Sequence, residues 1–270
     1  MRCLLAFLKK EFHAVQLYRV DFLLKIIYGV IAMYGFRCLW TALYAQKSFV
    51  NESGRVLSSM ITYALLSVSI DMIFNPFEVS PSPHQYTALQ IRTGRITADL
   101  LRPINFQIQL LLRNMSAVLL SVCTLVLPLW LLSLCVFGMQ LPASLFHGFA
   151  FLLSMACSYF ISFSLNFLLG LICFVTLDIR NITFAYVGIM GVLSGQVIPI
   201  DLFPSGLQVF CRCMPFYYVF GAPLNLYTGA LSGWGALGTL GMQLLWSVLL
   251  LLAGQWIWRH LHKRLVVQGG

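Results

Sequence analysis

The chain has 270 residues, of which 60% are hydrophobic and only 9% charged, with a formal net charge of +9. A soluble domain carries about 25% charged residues, so this chain cannot cover itself in water and a bilayer is its expected solvent. The basic excess lies in the gaps between apolar stretches, mainly alternate gaps, which points to cytoplasmic loops and anionic lipid rather than to nucleic acid.

The first 21 residues mix Arg2, Lys9, Lys10, Glu11, His13 and Arg19 with Leu5, Leu8, Phe12 and Val15. Those four apolar residues share one helical face, which predicts an amphipathic helix lying in the membrane interface. The apolar run at 3–8 is too short for a cleavable signal, so the first span is expected to direct insertion. Residues 22–270 then read as one transmembrane domain. Six spans are predicted at 22–44, 57–74, 115–137, 146–177, 182–198 and 237–258, each near the roughly 20 residues a bilayer requires. Pro128 is expected to bend the third.

Charge gives the orientation. One set of gaps holds Arg2, Lys9, Lys10 and Arg19, then Arg92, Arg95, Arg102 and Arg113, then Arg180, then Arg259, Lys263 and Arg264. The other holds Lys47, Arg55 and Arg212. Both termini are therefore expected in the cytoplasm. Lys25 and Arg37, near the two ends of the first span, are expected to snorkel to the headgroups. The segment 199–228 is apolar enough for a further span, but Pro204, Gly206, Arg212, Pro215, Gly221 and Pro223 break it. A further crossing would also send Arg259, Lys263 and Arg264 outside. It reads as a re-entrant or interfacial pair of short helices on the outer face. The fold class is thus all-α: a polytopic membrane protein with six spans, an N-terminal interfacial helix and an outer re-entrant helical hairpin.

The largest polar island runs over 76–113. It contains Arg92, Thr93, Gly94, Arg95, Ile96, Thr97, Ala98, Asp99, Leu100, Leu101, Arg102 and Pro103 in succession. Leu89, Ile96 and Leu100 predict an apolar stripe on short helices interrupted at Gly94 and closed before Pro103. Such a loop either docks a soluble partner or lies against lipid; composition does not separate the two.

Taken together, the basic amphipathic start, the six spans and the Arg-x-Gly-x-Ile…Leu-Leu-Arg-Pro loop resemble a known family. So does the later series Ser194-Gly195-Gln196-Val197-Ile198-Pro199-Ile200, Phe203-Pro204 and Pro215-Phe216. The chain looks like an ABC transporter permease of the type-2 exporter class, most similar to its short six-span bacterial branch. That resemblance implies a multi-pass subunit of a bacterial inner (plasma) membrane, forming half of an export pathway. Leu89, Arg92, Gly94, Arg95, Ile96, Leu100, Leu101, Arg102 and Pro103 would form the coupling helix seated on a separate ATP-binding subunit, where ATP and Mg would be held. A second permease copy or a paralogue would complete the pathway, with spans two and five facing it. Pro199, Asp201, Phe203, Pro204, Arg212, Pro215 and Phe216 would belong to the outer re-entrant element. The chain carries no Gly-x-x-x-x-Gly-Lys-Ser/Thr phosphate loop, so the resemblance implies no catalytic, cofactor or metal residues here.

Span two is rich in hydroxyls, with Ser58, Ser59, Thr62, Tyr63, Ser67 and Ser69. Ser59, Thr62 and Tyr63, with Tyr186 and Ser194 of span five, are the pathway candidates; the competing reading is that hydroxyls satisfy themselves on backbone carbonyls. Ser154, Ser158, Ser162, Asn166 and Gly170 recur at i+4 and suit close helix packing. Asp71 and the Asp178–Arg180 turn read as helix-end or ion-pair positions, and Asp201 with Arg212 as a pair. The eight cysteines have no metal spacing, and Cys211 and Cys213 are too close in sequence to bridge. No His-Glu-x-x-His motif or paired intramembrane aspartates suggest an enzyme. A stand-alone ion-coupled carrier or channel is the alternative, weakened by the scarcity of buried acids.

Overall fold

The computed structural model describes residues 19–45, 55–75, 81–101, 104–174, 176 and 180–261. The predicted amphipathic helix over 1–21 lies outside these, apart from its last three residues, which begin the first span. Among the described residues all regular structure is helical. The elements are α1 (Arg19–Tyr44), α2 (Leu57–Phe74), α3 (Pro83–Arg92), α4 (Ile96–Leu100), α5 (Phe106–Cys135), α6 (Leu145–Leu171), α7 (Arg180–Leu193), α8 (Ser205–Cys213), α9 (Gly221–Tyr227) and α10 (Gly233–Leu261). Of these, α1, α2, α5, α6 and α10 are long and apolar enough to cross a membrane.

Two elements depart from expectation. First, α5 begins at Phe106, well before the predicted 115. The polar residues that read as loop are solvated by the protein instead. Asn105 caps the helix by accepting from the Gln107 amide at 3.0 Å. Gln107 Nε2 donates to Leu251 O at 3.2 Å and Gln109 Nε2 to Asp99 Oδ1 at 3.3 Å. The Arg113 guanidinium lies over the Tyr86 ring, 4.1 Å from its centroid. Pro128 sits at the start of the helix's last segment, directly after a π-helical turn at Val122–Val126. The Leu127 amide reaches back to Val122 O, so the wider turn accommodates a proline that lacks its own donor.

Second, α7 stops at Leu193 rather than running to 198. Its 14 residues span about 21 Å at 1.5 Å each, short of the roughly 30 Å of hydrocarbon. Gly195 then takes φ +77°, a left-handed conformation that terminates helices and favours glycine.

At the centre of the molecule stands α6. It packs along α10, carries α3 across one end and α9 across the other. The Ser154-to-Gly170 row is the face that makes this possible. Ser154 and Ser158 are fully buried. A Cβ on Gly170 would lie 2.9 Å from Thr87 Cβ and 3.0 Å from the His84 backbone, so only glycine lets α3 approach this closely. α1 packs antiparallel on α2, with Trp40 against Met60 and Ala64. Lys25 and Arg37 do not simply reach for headgroups. Lys25 Nζ donates to Asn75 O at 2.7 Å, and Arg37 Nη1 to Val136 O at 2.9 Å. Each cation caps the carbonyl end of a neighbouring helix, where the helix dipole also favours it.

Candidate functional site

The 81–101 loop folds as two short helices joined at Gly94, whose φ is +68°. Pro83 occupies the first helical position of α3, and the Ser82 amide donates to Gln85 Oε1 at 3.1 Å. One face of the pair is anchored. His84 Nδ1 lies 2.8 Å from Asn166 Oδ1, while Asn166 Nδ2 donates to Ser162 O at 2.9 Å. The amide oxygen is thereby left to accept, so Nδ1 carries the proton. Burial holds the His84 pKa below its ordinary value, only partly offset by the Asn166 bond. Tyr86 donates to Asp99 Oδ2 at 2.7 Å. Ile96 is buried in a cluster with Phe106, Phe163, Phe167 and Trp258, where Phe106 and Trp258 stack at 4.5 Å.

The other face of the pair is bare. Arg92, Gly94, Arg95 and Leu101 are exposed, Leu101 at 87%. Leu89, half exposed, faces α7 across a groove. The expected single apolar stripe is therefore split: Ile96 points inward and Leu89 outward. Leu100 closes α4; its side chain, with Arg102 and Pro103, lies outside the described residues.

A polar seam joins α2 to the break after α7. Tyr63, Ser67 and Asp71 recur at i+4 on α2. The Tyr63 hydroxyl donates to Gly195 O at 2.7 Å, and Ser67 Oγ to Gln196 O at 2.6 Å. Gln196 Nε2 donates to Asp71 Oδ1 at 3.0 Å, where Asn75 Nδ2 also donates at 2.9 Å. The Gln196 amide lies 3.2 Å from Ser194 Oγ, and Gly221 N donates to Ser194 O at 2.9 Å. Four backbone groups at the end of the helix, Ser194 O, Gly195 O, Gln196 O and the Gln196 amide, are thus paired, as apolar surroundings require. Of the pathway candidates, Thr62, Tyr63 and Ser194 are buried within the chain and Ser59 and Tyr186 are half-buried. Thr62 Oγ1 bonds Ser58 O and accepts from the Gln140 amide.

At the opposite end from the 81–101 loop, Asp201 bridges two cations. It accepts from Arg55 Nη2 and, at 2.7 Å, from Arg212 Nη2. Arg55 also donates to Asn225 Oδ1 at 2.9 Å, and Asn225 Nδ2 to the Tyr217 hydroxyl at 3.1 Å. The Asp201–Arg212 pair was legible; Arg55, far away in sequence, was not. Phe203 is half-buried against the core, Pro199 and Pro215 are buried, Phe216 is half-buried and Pro204 is exposed. Sequence reasoning also missed Gln243. Fully buried on α10, its Nε2 donates to Tyr218 O at 2.9 Å and to Ser158 Oγ at 3.1 Å. A lone glutamine in an apolar run was the only signal. Among the described residues, no group of His, Cys, Asp and Glu is arranged to hold a metal ion.

A family profile described as "ABC-2 family transporter protein" matches residues 30–269. No curated protein matches the chain in a sequence comparison.

Proposed function

Since this chain belongs to the ABC-2 family of transporter proteins, and is thereby a multi-pass permease, we propose that it is half of an ATP-driven export pathway energised by a separate ATP-binding subunit. That subunit would sit against the 93–101 tip and hold the ATP and Mg. A second permease copy or a paralogue would complete the pathway. The membrane would be a bacterial inner membrane, with both termini and the 81–101 loop in the cytoplasm.

One observation carries the docking assignment. The loop is anchored on its inner face by Ile96, Asp99, Tyr86 and His84, yet Leu101 is 87% exposed, and Gly94 and Arg95 are exposed as well. A leucine left in water forgoes roughly 2 kcal/mol of burial, which a partner's groove would recover. Its anchored face offers a route for movement. Displacing α3 and α4 pushes on α6 through Gly170 and Asn166, and α6 holds Tyr218 and Gln243 through Ser158 at its middle.

The fifth span, which would bring the crossings to six, is proposed to be made in two pieces. α7 begins across a groove from α3, and the chain then continues through the paired break at 194–199 to Asp201, which meets Arg55 just before α2. That path supports an even number of crossings and, with it, the reading of the segment 199–228 as a re-entrant element on the outer side.

The test is extraction from the native host in mild detergent. An ATP-binding protein is expected to accompany the wild-type chain. Leu101→Asp, which alters no internal contact, is expected to release it while the permease remains inserted. Undiminished co-purification with L101D would remove the tip from the interface.

A further inference from the structure

Along its length α5 changes both its winding and its neighbours. Phe106–Ser121 is α-helical, Val122–Val126 forms the π-helical turn, and Leu127–Cys135 is α-helical again. Before the turn, α5 is bound to the 81–101 loop. Asp99 is 5% exposed and accepts from Tyr86 of α3 and from Gln109 of α5, so one carboxylate on α4 ties the other two helices together. Arg113 covers the Tyr86 ring, and Ile96 shares a buried cluster with Phe106 and Leu110. Gln107 and Leu111 bond this half of α5 to α10 and α6 as well, through Leu251 O and the Tyr159 hydroxyl.

Past the turn, α5 is bound to α1. Val136 O accepts from Arg37, and Ser133 Oγ lies 3.3 Å from Met33 Sδ. A Cβ on Gly29 would lie 3.1 Å from Leu129 Cδ1. This half meets α6 through Trp130 and Phe151, ring centres 6.0 Å apart, and α2 lies along both halves through apolar side chains. Such contacts slide without breaking a hydrogen bond.

The junction itself is built to bend. A π-turn interrupts the regular ladder. Pro128 supplies no amide hydrogen, and its ring crowds the carbonyl four residues earlier, that of Thr124. Thr124 Oγ1 bonds back to Leu120 O at 2.8 Å, a bond that also bends helices. Sharp kinks gather at such features.

We propose that Val122–Pro128 is a hinge in α5, about which the 106–121 segment swings with the 81–101 loop while the 127–135 segment stays on α1. This is a route for movement beside the one through α6, and its trigger rests on the docking of that loop proposed above. The 16-residue arm is about 24 Å long, so a tilt of about 5° carries its Phe106 end about 2 Å.

The test uses spin-label amino acids encoded in the full-length chain, which leave the native cysteines in place, with labelled chains diluted by unlabelled ones. One pair, at Leu24 and Ile108, joins α1 to the arm. The other, at Leu39 and Leu131, joins α1 to the far half; all four side chains are exposed. In nanodiscs holding the permease alone, the 24–108 distances are expected to be distributed more broadly than the 39–131 distances. A variant lacking Thr124 and carrying Pro128→Ala closes the junction to α-helix without rotating either half, because a π-turn holds one residue more than an α-turn. It is expected to narrow the 24–108 distribution to the width of the other. In the complex with the co-purified ATP-binding subunit, ATP and vanadate are expected to shift the 24–108 distance by about 2 Å, the movement of the arm's end, and to leave 39–131 in place. Equal widths for the two pairs in the wild-type permease overturn the hinge, as does an equal shift of both pairs on adding nucleotide. If no ATP-binding protein accompanies the chain, the docking reading fails, and the widths measured on the permease alone still decide the hinge.

Discussion

Arg55 is held by chemistry remote from it in sequence. Its guanidinium is largely buried, donates to Asp201 and Asn225, and lies 5.8 Å from the centre of the Tyr63 ring. Its Nη1 is buried with no acceptor among the described residues. Asp201→Asn would therefore leave a buried cation without its countercharge. Breaking such a pair costs about 3 kcal/mol, at the low end of the usual range because Asp201 is partly exposed. A clear fall in the thermal midpoint in detergent is expected for D201N, and a partial recovery for R55M/D201N, in which both charges are gone. Identical midpoints for D201N and wild type would make the bridge ornamental. His84 supplies a pH-dependent term. Its folded pKa is depressed by burial, so the unfolded chain takes up the proton first. The stability it contributes is fully present above about 6.5, the unfolded value, and is lost as pH falls from there through the lower folded value. His84→Asn is expected to flatten the pH dependence of the midpoint between neutral and mildly acidic conditions. A parallel curve for H84N would assign the dependence to other groups. At this scale the sequence was least legible. Asp201 with Arg212 is visible because the two lie 11 residues apart. Gln243, Gln196 and Arg55 acquire meaning only from chains folded against them.

Among elements, the legible ones were those whose apolar length matches the bilayer and whose neighbours do not interfere. α1 and α2 fall where hydropathy put them. The start of α5 was missed because Gln107, Gln109, Arg113 and Asn114 signal water, whereas the structure answers three of them with Leu251 O, Asp99 and the Tyr86 ring. The end of α7 was missed because Val197 and Ile198 prolong the apolar run past Gly195. A glycine of positive φ and three hydrogen bonds from or to α2 decide otherwise. Gly195→Ala is accordingly expected to cost about 1–2 kcal/mol, from the left-handed backbone alone; the new Cβ would also meet the Tyr63 hydroxyl at 3.0 Å. Gly170→Ala is expected to destabilise by about 1–3 kcal/mol through overpacking against α3. Gly188→Ala on α7, where a Cβ meets nothing within 4 Å, serves as the contrast and is expected to be neutral or stabilising by up to about 1 kcal/mol. Thermal midpoints of the three variants decide it. If G170A matched G188A, the close seat of α3 on α6 would not be a structural requirement.

For the whole molecule, composition and the distribution of arginines led directly to a polytopic helical protein, and the family match over residues 30–269 agrees. What the linear pattern lacked was the path of force. A loop read as short helices with one apolar stripe has an anchored face and a bare one, and a row read as small residues joins that loop to Tyr218 at the middle of α6. The account predicts that energy enters at Leu101. A photo-crosslinking amino acid placed at position 101, in cells of the native host, is expected to capture a soluble ATP-binding protein. The same residue at position 141, an exposed leucine before α6, is expected to capture none. Capture of that protein from 141 and not from 101 would contradict the account.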